Sequence, residues 1–117
     1  QMSQDRASYG IVTIELDGDE LELKPTLRAF QKIQNRFGGL SQAIQGLSGL
    51  NIDNVAAVVA AGAGINGTKD TEKLKEQIFS TGVVNVIGKA SEYLALLMNP
   101  TGKESAAVED DGDDMEK

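Results

Sequence analysis

Residues 11–24, IVTIELDGDELELK, alternate apolar and polar side chains on both sides of Asp17-Gly18. Val12, Ile14 and Leu16 fall on one face of an extended chain, with Thr13 and Glu15 on the other. Asp-Gly is a strong two-residue turn signal, because a type I′ turn needs positive φ at both central residues. Such a turn pairs Leu16 with Asp19, Glu15 with Glu20, Ile14 with Leu21 and Val12 with Leu23. The apolar residues then match across the strands, which supports the register. Glu15 opposite Glu20 is a like-charge pair, so that face must be the solvated one. An isolated hairpin is marginal in water, so its Val12/Ile14/Leu21/Leu23 face needs a cover.

The next residues supply a candidate cover. Pro25 closes the second strand and Thr26 is placed to cap a helix. Leu27, Phe30, Ile33 and Phe37 then recur at spacings of three, three and four, which makes one apolar helical stripe. Gly38-Gly39 ends it, because glycine takes the left-handed cap conformation without strain. The expectation is a hairpin packed on this stripe. Arg28, Lys32 and Arg36 lie four apart on the opposite side and form a basic ridge. A ridge of this kind is commonly just a solvated face. Its functional reading is a docking ridge for an acidic partner, or for the acidic end of this same chain.

Downstream the pattern is helical throughout. SQAIQGLSG turns Leu40, Ala43, Ile44 and Leu47 inward, weakened by Gly46 and Gly49. Asn51 caps IDNVAAVVAAG, whose apolar side is Ile52, Val55, Val58 and Val59, with alanines that permit close helix approach. Residues 62–69, GAGINGTK, read as a loop. Asp70 or Thr71 opens a further helix with Leu74, Ile78 and Phe79 inward and Gly82 at its end. VVNVIGKASEYLALLM is the most apolar segment: Val83, Val86, Ile87, Ala90, Leu94 and Leu97 cover one side, and Val84, Tyr93 and Leu96 part of a second. A helix apolar on more than one face is either central in a core or shared with another subunit. The shortness of the chain favours the shared reading, hence a homo-oligomer. Asn99-Pro100 stops the helix. The fold class is therefore α+β, mainly α: an N-terminal β-hairpin on a bundle of four to five short helices. Residues 1–9 are expected to be a flexible arm, 10–99 a single domain and 100–117 a disordered acidic tail.

Composition narrows the function. The chain has 117 residues and net charge −7, with no Cys and no His. It therefore has no disulfide framework, no thiol nucleophile and neither the commonest general base nor the commonest metal ligand. Residues 103–117 hold seven acids and two lysines, whereas the other 102 residues hold eleven acids and nine bases. That balance argues against nucleic acid as a partner, because phosphate neutralisation needs a cationic surface. No apolar run reaches the roughly 18 residues of a membrane span, and no secretory leader is expected. No membrane partner is expected.

Residues 62–67, GAGING, match G-x-G-x-x-G, but that fingerprint needs a strand before the glycines. Here the preceding residues continue a capped helix, so a nucleotide-binding module is a minor alternative. Asp17, Asp19, Glu20 and Glu22 cluster without the twelve-residue calcium-loop pattern. No spacing suggests paired carboxylates or a Ser/Lys couple for catalysis. Neither an enzyme nor a cofactor is expected.

Residues 11–98 resemble the tail assembly chaperones of siphophages and gene transfer agents. The resemblance is carried by the hairpin (V-x-I-x-L-D-G-x-x-x-x-L), by LKPTLRAFQKIQNRFGGLSQAI and by the alanine-rich NVAAVVAAGAGI. It is densest over residues 23–44 and covers about three-quarters of the chain. It implies a protein of the bacterial host's cytoplasm that coats the tape measure protein, recruits tail tube subunits and is left out of the mature virion. Many relatives carry a C-terminal extension made by frameshifting, and the acidic end sits where that would begin. No catalytic residues are implied. On this reading Arg28, Lys32 and Arg36, together with Val83, Val86, Ile87, Ala90, Leu94 and Leu97, are the expected partner-binding residues. The rival within the same setting is a structural tube or tail-completion protein, which usually needs more strands to close a ring.

Overall fold

The hairpin pairs in the expected register. In the computed structural model, which describes residues 10–101, β1 (Val12–Leu16) runs antiparallel to β2 (Asp19–Leu23), with Val12 opposite Leu23, Ile14 opposite Leu21 and Glu15 opposite Glu20. Val12, Ile14, Leu16 and Leu23 are buried, Leu21 is half-buried and both glutamates are exposed. The expected arm of residues 1–9 lies outside the described residues, as does the expected tail beyond Pro100 and Thr101.

The turn differs from expectation. Gly18 has φ 86°, but Asp17 does not have positive φ, so the turn is not type I′. Negative then positive φ is the sign pattern of a type II turn. Tertiary tethers account for it. The Asp17 N–H donates to Thr81 Oγ1 at 2.8 Å, and the Gln77 amide donates to the Asp17 carbonyl at 3.4 Å and to the Asp19 carboxylate.

Five helices follow: α1 (Leu27–Phe37), α2 (Leu40–Ser48), α3 (Ile52–Ala63), α4 (Thr68–Thr81) and α5 (Val83–Met98). The protein is thus α+β and mainly α. Local chemistry explains the first boundaries. The Thr26 hydroxyl accepts from the Ala29 N–H at 3.0 Å, and Gly38, at φ 97°, ends α1 by donating to the Gln34 carbonyl. The Asn51 side chain caps α3 by accepting from the Asn54 N–H at 3.1 Å.

The central element is α3. It packs against β2, α1, α2, α4 and α5, and its Val55, Ala56, Val58, Val59 and Ala60 are buried. After Asp53 it carries no charged residue, so no side of it demands water. The hairpin lies on α3, α5 and α4, not on α1 as expected. The inward side of α1 is Ala29 and Ile33, flanked by half-buried Phe30 and Phe37, while Leu27 is 72% exposed. Ile44 and Phe79, also expected inside, lie at the surface.

One residue knots three elements together. The Lys24 N–H donates to the Gly62 carbonyl at the end of α3 (3.0 Å), and the Lys24 carbonyl accepts from the Tyr93 hydroxyl of α5 (2.5 Å). Both backbone groups that leave the strand ladder thus find partners, as buried polar groups must. At the other edge Lys75 of α4 reaches Asp53 of α3 (3.1 Å) and Glu72 (2.9 Å). The described chain also closes on itself: the Gly10 N–H donates to the Pro100 carbonyl at 3.0 Å.

Candidate functional site

The basic ridge lies along α1, and it is partly built into the fold. Arg36 donates from its guanidinium to the Asn54 side-chain oxygen at 3.1 Å and sits 5.5 Å from the Phe37 ring centre. Asn54 in turn donates to the Gly46 carbonyl at 3.3 Å, so one side chain ties α1, α2 and α3 together. Lys32 is half-buried and its ammonium donates to the Asn66 side-chain oxygen in the α3–α4 loop. Arg28 is exposed and makes no hydrogen bond or ion pair among the described residues. Arg36 therefore serves helix packing, Lys32 does so in part, and Arg28 is the freest cation of the three.

A groove of about 540 Å³ runs beside the ridge. Lys24, Arg28 and Lys32 stand on its walls together with Glu20, Glu22 and the end of α3 from Ala61 to Gly64. Basic and acidic side chains both line it.

The expected apolar contact surface on α5 is not a surface. Val86, Ala90 and Leu94 are fully buried and Leu97 is 3% exposed. Their helix packs on α2, α3, α4 and β1, and they form part of the chain's own core. Val83 and Ile87 are half-buried at its edge. The two readings open to an apolar helix were core or subunit contact, and these side chains belong to the core. The reason is coverage: a short chain folds four separate elements over one helix, which local periodicity does not reveal. The large apolar side chains that do reach solvent include Leu27 (72%), Phe79 (76%) and Val84 (71%). Phe79 lines a shallow groove with Ile52 between α3 and α4, and Val84 opens α5 just beyond the end of α4.

The glycine stretch 62–67 divides between two roles. Gly62 lies within α3, and Gly64 (φ 75°) ends that helix. The residues before it are helical, so the strand that a dinucleotide fingerprint requires is missing. Among the described residues no group of three or more His, Cys, Asp or Glu side chains is placed to hold a metal ion. Among them, no helix is long and apolar enough to cross a membrane. Burial raises the Tyr93 phenol from its ordinary 10.0 to about 12; its hydroxyl is committed to the Lys24 carbonyl and faces no groove chemistry.

No family model matches the sequence, and neither a curated protein nor a solved structure matches it.

Proposed function

We propose that the protein is a tail assembly chaperone of the phage type. It binds the tape measure protein and helps recruit tail tube subunits during tail morphogenesis, in the cytoplasm of the bacterial host and outside the finished virion. The observation that carries this reading is the resemblance over residues 23–44, LKPTLRAFQKIQNRFGGLSQAI. Those residues run from the last residue of β2 through all of α1 into the start of α2.

Two surface features support a binding role. Exposed Phe79 and Val84 offer apolar contact at the α4–α5 corner, and exposed aromatics rimmed by charge suit a protein partner. Glu72, Lys75 and Glu76 provide that rim around Phe79. The corner thus takes the place of the buried α5 face as the apolar contact. Arg28 and Lys32 remain as the polar contact that orders copies or partners along a helical target.

The test is co-expression with the tape measure protein encoded in the same genome. The expected result is a tape measure protein that stays soluble and co-purifies, with this chain missing from purified particles. An insoluble tape measure protein, or this chain found as a stoichiometric component of particles, overturns the reading.

A further inference from the structure

Residues 23–52 hold four bases, Lys24, Arg28, Lys32 and Arg36, and no acid, whereas residues 103–117 hold seven acids and two lysines. In a chain of net charge −7 these two stretches have opposite sign. None of the four bases makes an ion pair among the described residues, where the bridges use Lys75 and Lys89.

The described chain ends beside the basic stretch. Pro100 shares an apolar groove of about 240 Å³ with Pro25, Thr26, Leu27, Phe30 and Leu97. Thr26 also belongs to the adjoining groove that carries Lys24, Arg28 and Lys32. Pro100 thus lies beside Leu27, the sequence neighbour of Arg28. Extended chain covers about 3.3 Å per residue, so residues 101–108 span up to roughly 25 Å. That exceeds what is needed to set the acids from Glu109 onward along α1, where residues four apart are about 6 Å apart. The order of side chains also fits: Ala106, Ala107 and Val108 precede the acids, as the apolar groove with exposed Leu27 precedes the bases.

We propose that the acidic stretch 109–116 docks on the Lys24/Arg28/Lys32 wall of its own chain, with residues 106–108 over Leu27, so that the basic ridge is covered until an acidic partner displaces it. Glu20 and Glu22 hold the stretch to the α1 side by repulsion. Exposed ion pairs are individually weak and screened by salt. A short tether compensates by raising the local concentration of the acids to the millimolar range. The contact stands on charge and reach, independently of any role in tail assembly.

The sequence has no cysteine, so Gly112→Cys in the full chain carries one nitroxide label without removing a charge. Backbone amide spectra of the ¹⁵N-labelled, spin-labelled protein are the readout. At about 0.01 M salt, where the Debye length is about 30 Å, the Arg28 and Lys32 amides lose most of their intensity. The amides of residues 83–86, roughly 20 Å away along α5 from Leu97, keep theirs. The loss reverses at about 1 M salt, where screening acts within about 3 Å. It also disappears in the same labelled chain carrying Arg28→Glu and Lys32→Glu; if that variant does not fold, the salt titration decides. Undiminished Arg28 and Lys32 amides at low salt, or broadening spread evenly over the domain, overturns the proposal. Broadening that appears only when spin-labelled and ¹⁵N-labelled copies are mixed assigns the contact to a second copy and overturns it too.

Discussion

Gly62 of α3 lies directly against Tyr93 of α5: a Cβ at residue 62 would stand 2.8 Å from the Cε2 and Cζ atoms of the ring and 2.9 Å from Leu23 Cβ. The ring is fully buried and the Leu23 atom is fixed to its backbone, so neither can yield cheaply. Gly62→Ala is expected to destabilise the fold by about 1–3 kcal/mol, the range for overpacking a well-filled core. The midpoint of urea unfolding measures it. A midpoint equal to the wild type would mean that α3 and α5 are further apart than described.

The same tyrosine makes stability depend on alkaline pH. Its phenol is pushed from 10.0 to about 12 by burial, so the fold keeps a proton that the unfolded chain gives up. Below pH 10 both states are protonated and stability is unaffected. As pH rises from 10 towards 12 the unfolded state alone loses the proton, and stability falls. Tyr93→Phe should remove this part of the pH slope. At neutral pH it should cost about 1 kcal/mol, because the Lys24 carbonyl loses its donor. Unfolding curves of both proteins across that pH range provide the comparison.

Leu94 and Phe79 should respond in opposite ways to lysine. Leu94 is fully buried and Phe79 is 76% exposed. Leu94→Lys places an ammonium in an apolar core and costs about 5 kcal/mol or more, comparable to the whole stability of a small domain. Circular dichroism should show loss of the helical signal. Phe79→Lys should shift stability by no more than about 0.5 kcal/mol while weakening capture of the tape measure protein. A folded Leu94→Lys protein with a lower oligomeric mass would return α5 to the role of subunit contact.

Leu50 is the only non-glycine with positive φ among the described residues, at 59°. It links α2 to α3 and its N–H donates to the Leu47 carbonyl. An L-residue there carries about 1–2 kcal/mol of steric cost, and at 54% exposure its side chain recovers little by burial. Leu50→Gly is expected to stabilise the domain by about 0.5 kcal/mol, after allowing for the extra freedom of glycine in the unfolded chain. A rise in thermal midpoint is the readout; a fall would show that the leucine makes contacts worth more than its strain.

The hairpin register was legible because a period of two leaves one arrangement that joins Ile14 to Leu21 and Val12 to Leu23. Caps at Thr26 and Asn51 were legible because they depend on neighbours in sequence. What failed depended on distant chain. The φ of Asp17 is set by Thr81 and Gln77, sixty or more residues away. The exposure of Leu27, Ile44 and Phe79 was missed because periodicity defines a stripe but not which of its edges stays uncovered. The burial of Val86, Ala90, Leu94 and Leu97 required knowing that α2, α3, α4 and β1 converge on α5. Of the candidate site, the spacing of Arg28, Lys32 and Arg36 was readable. The attachment of Arg36 to Asn54 and of Lys32 to Asn66 was not, since single asparagines carry no pairing signal. The missed signal for the central helix was the run from Asn54 to Ala63 without one charged residue.

The bond from Gly10 to Pro100 turns the described chain into a nearly closed ring. A circular permutant that joins residues 10 and 100 by a short glycine linker and opens between Asn66 and Gly67, both exposed, should fold to the same core, since permutation succeeds where ends meet and loops are solvated. The order in which the helices are synthesised would change, but not the set of surfaces that cover α3.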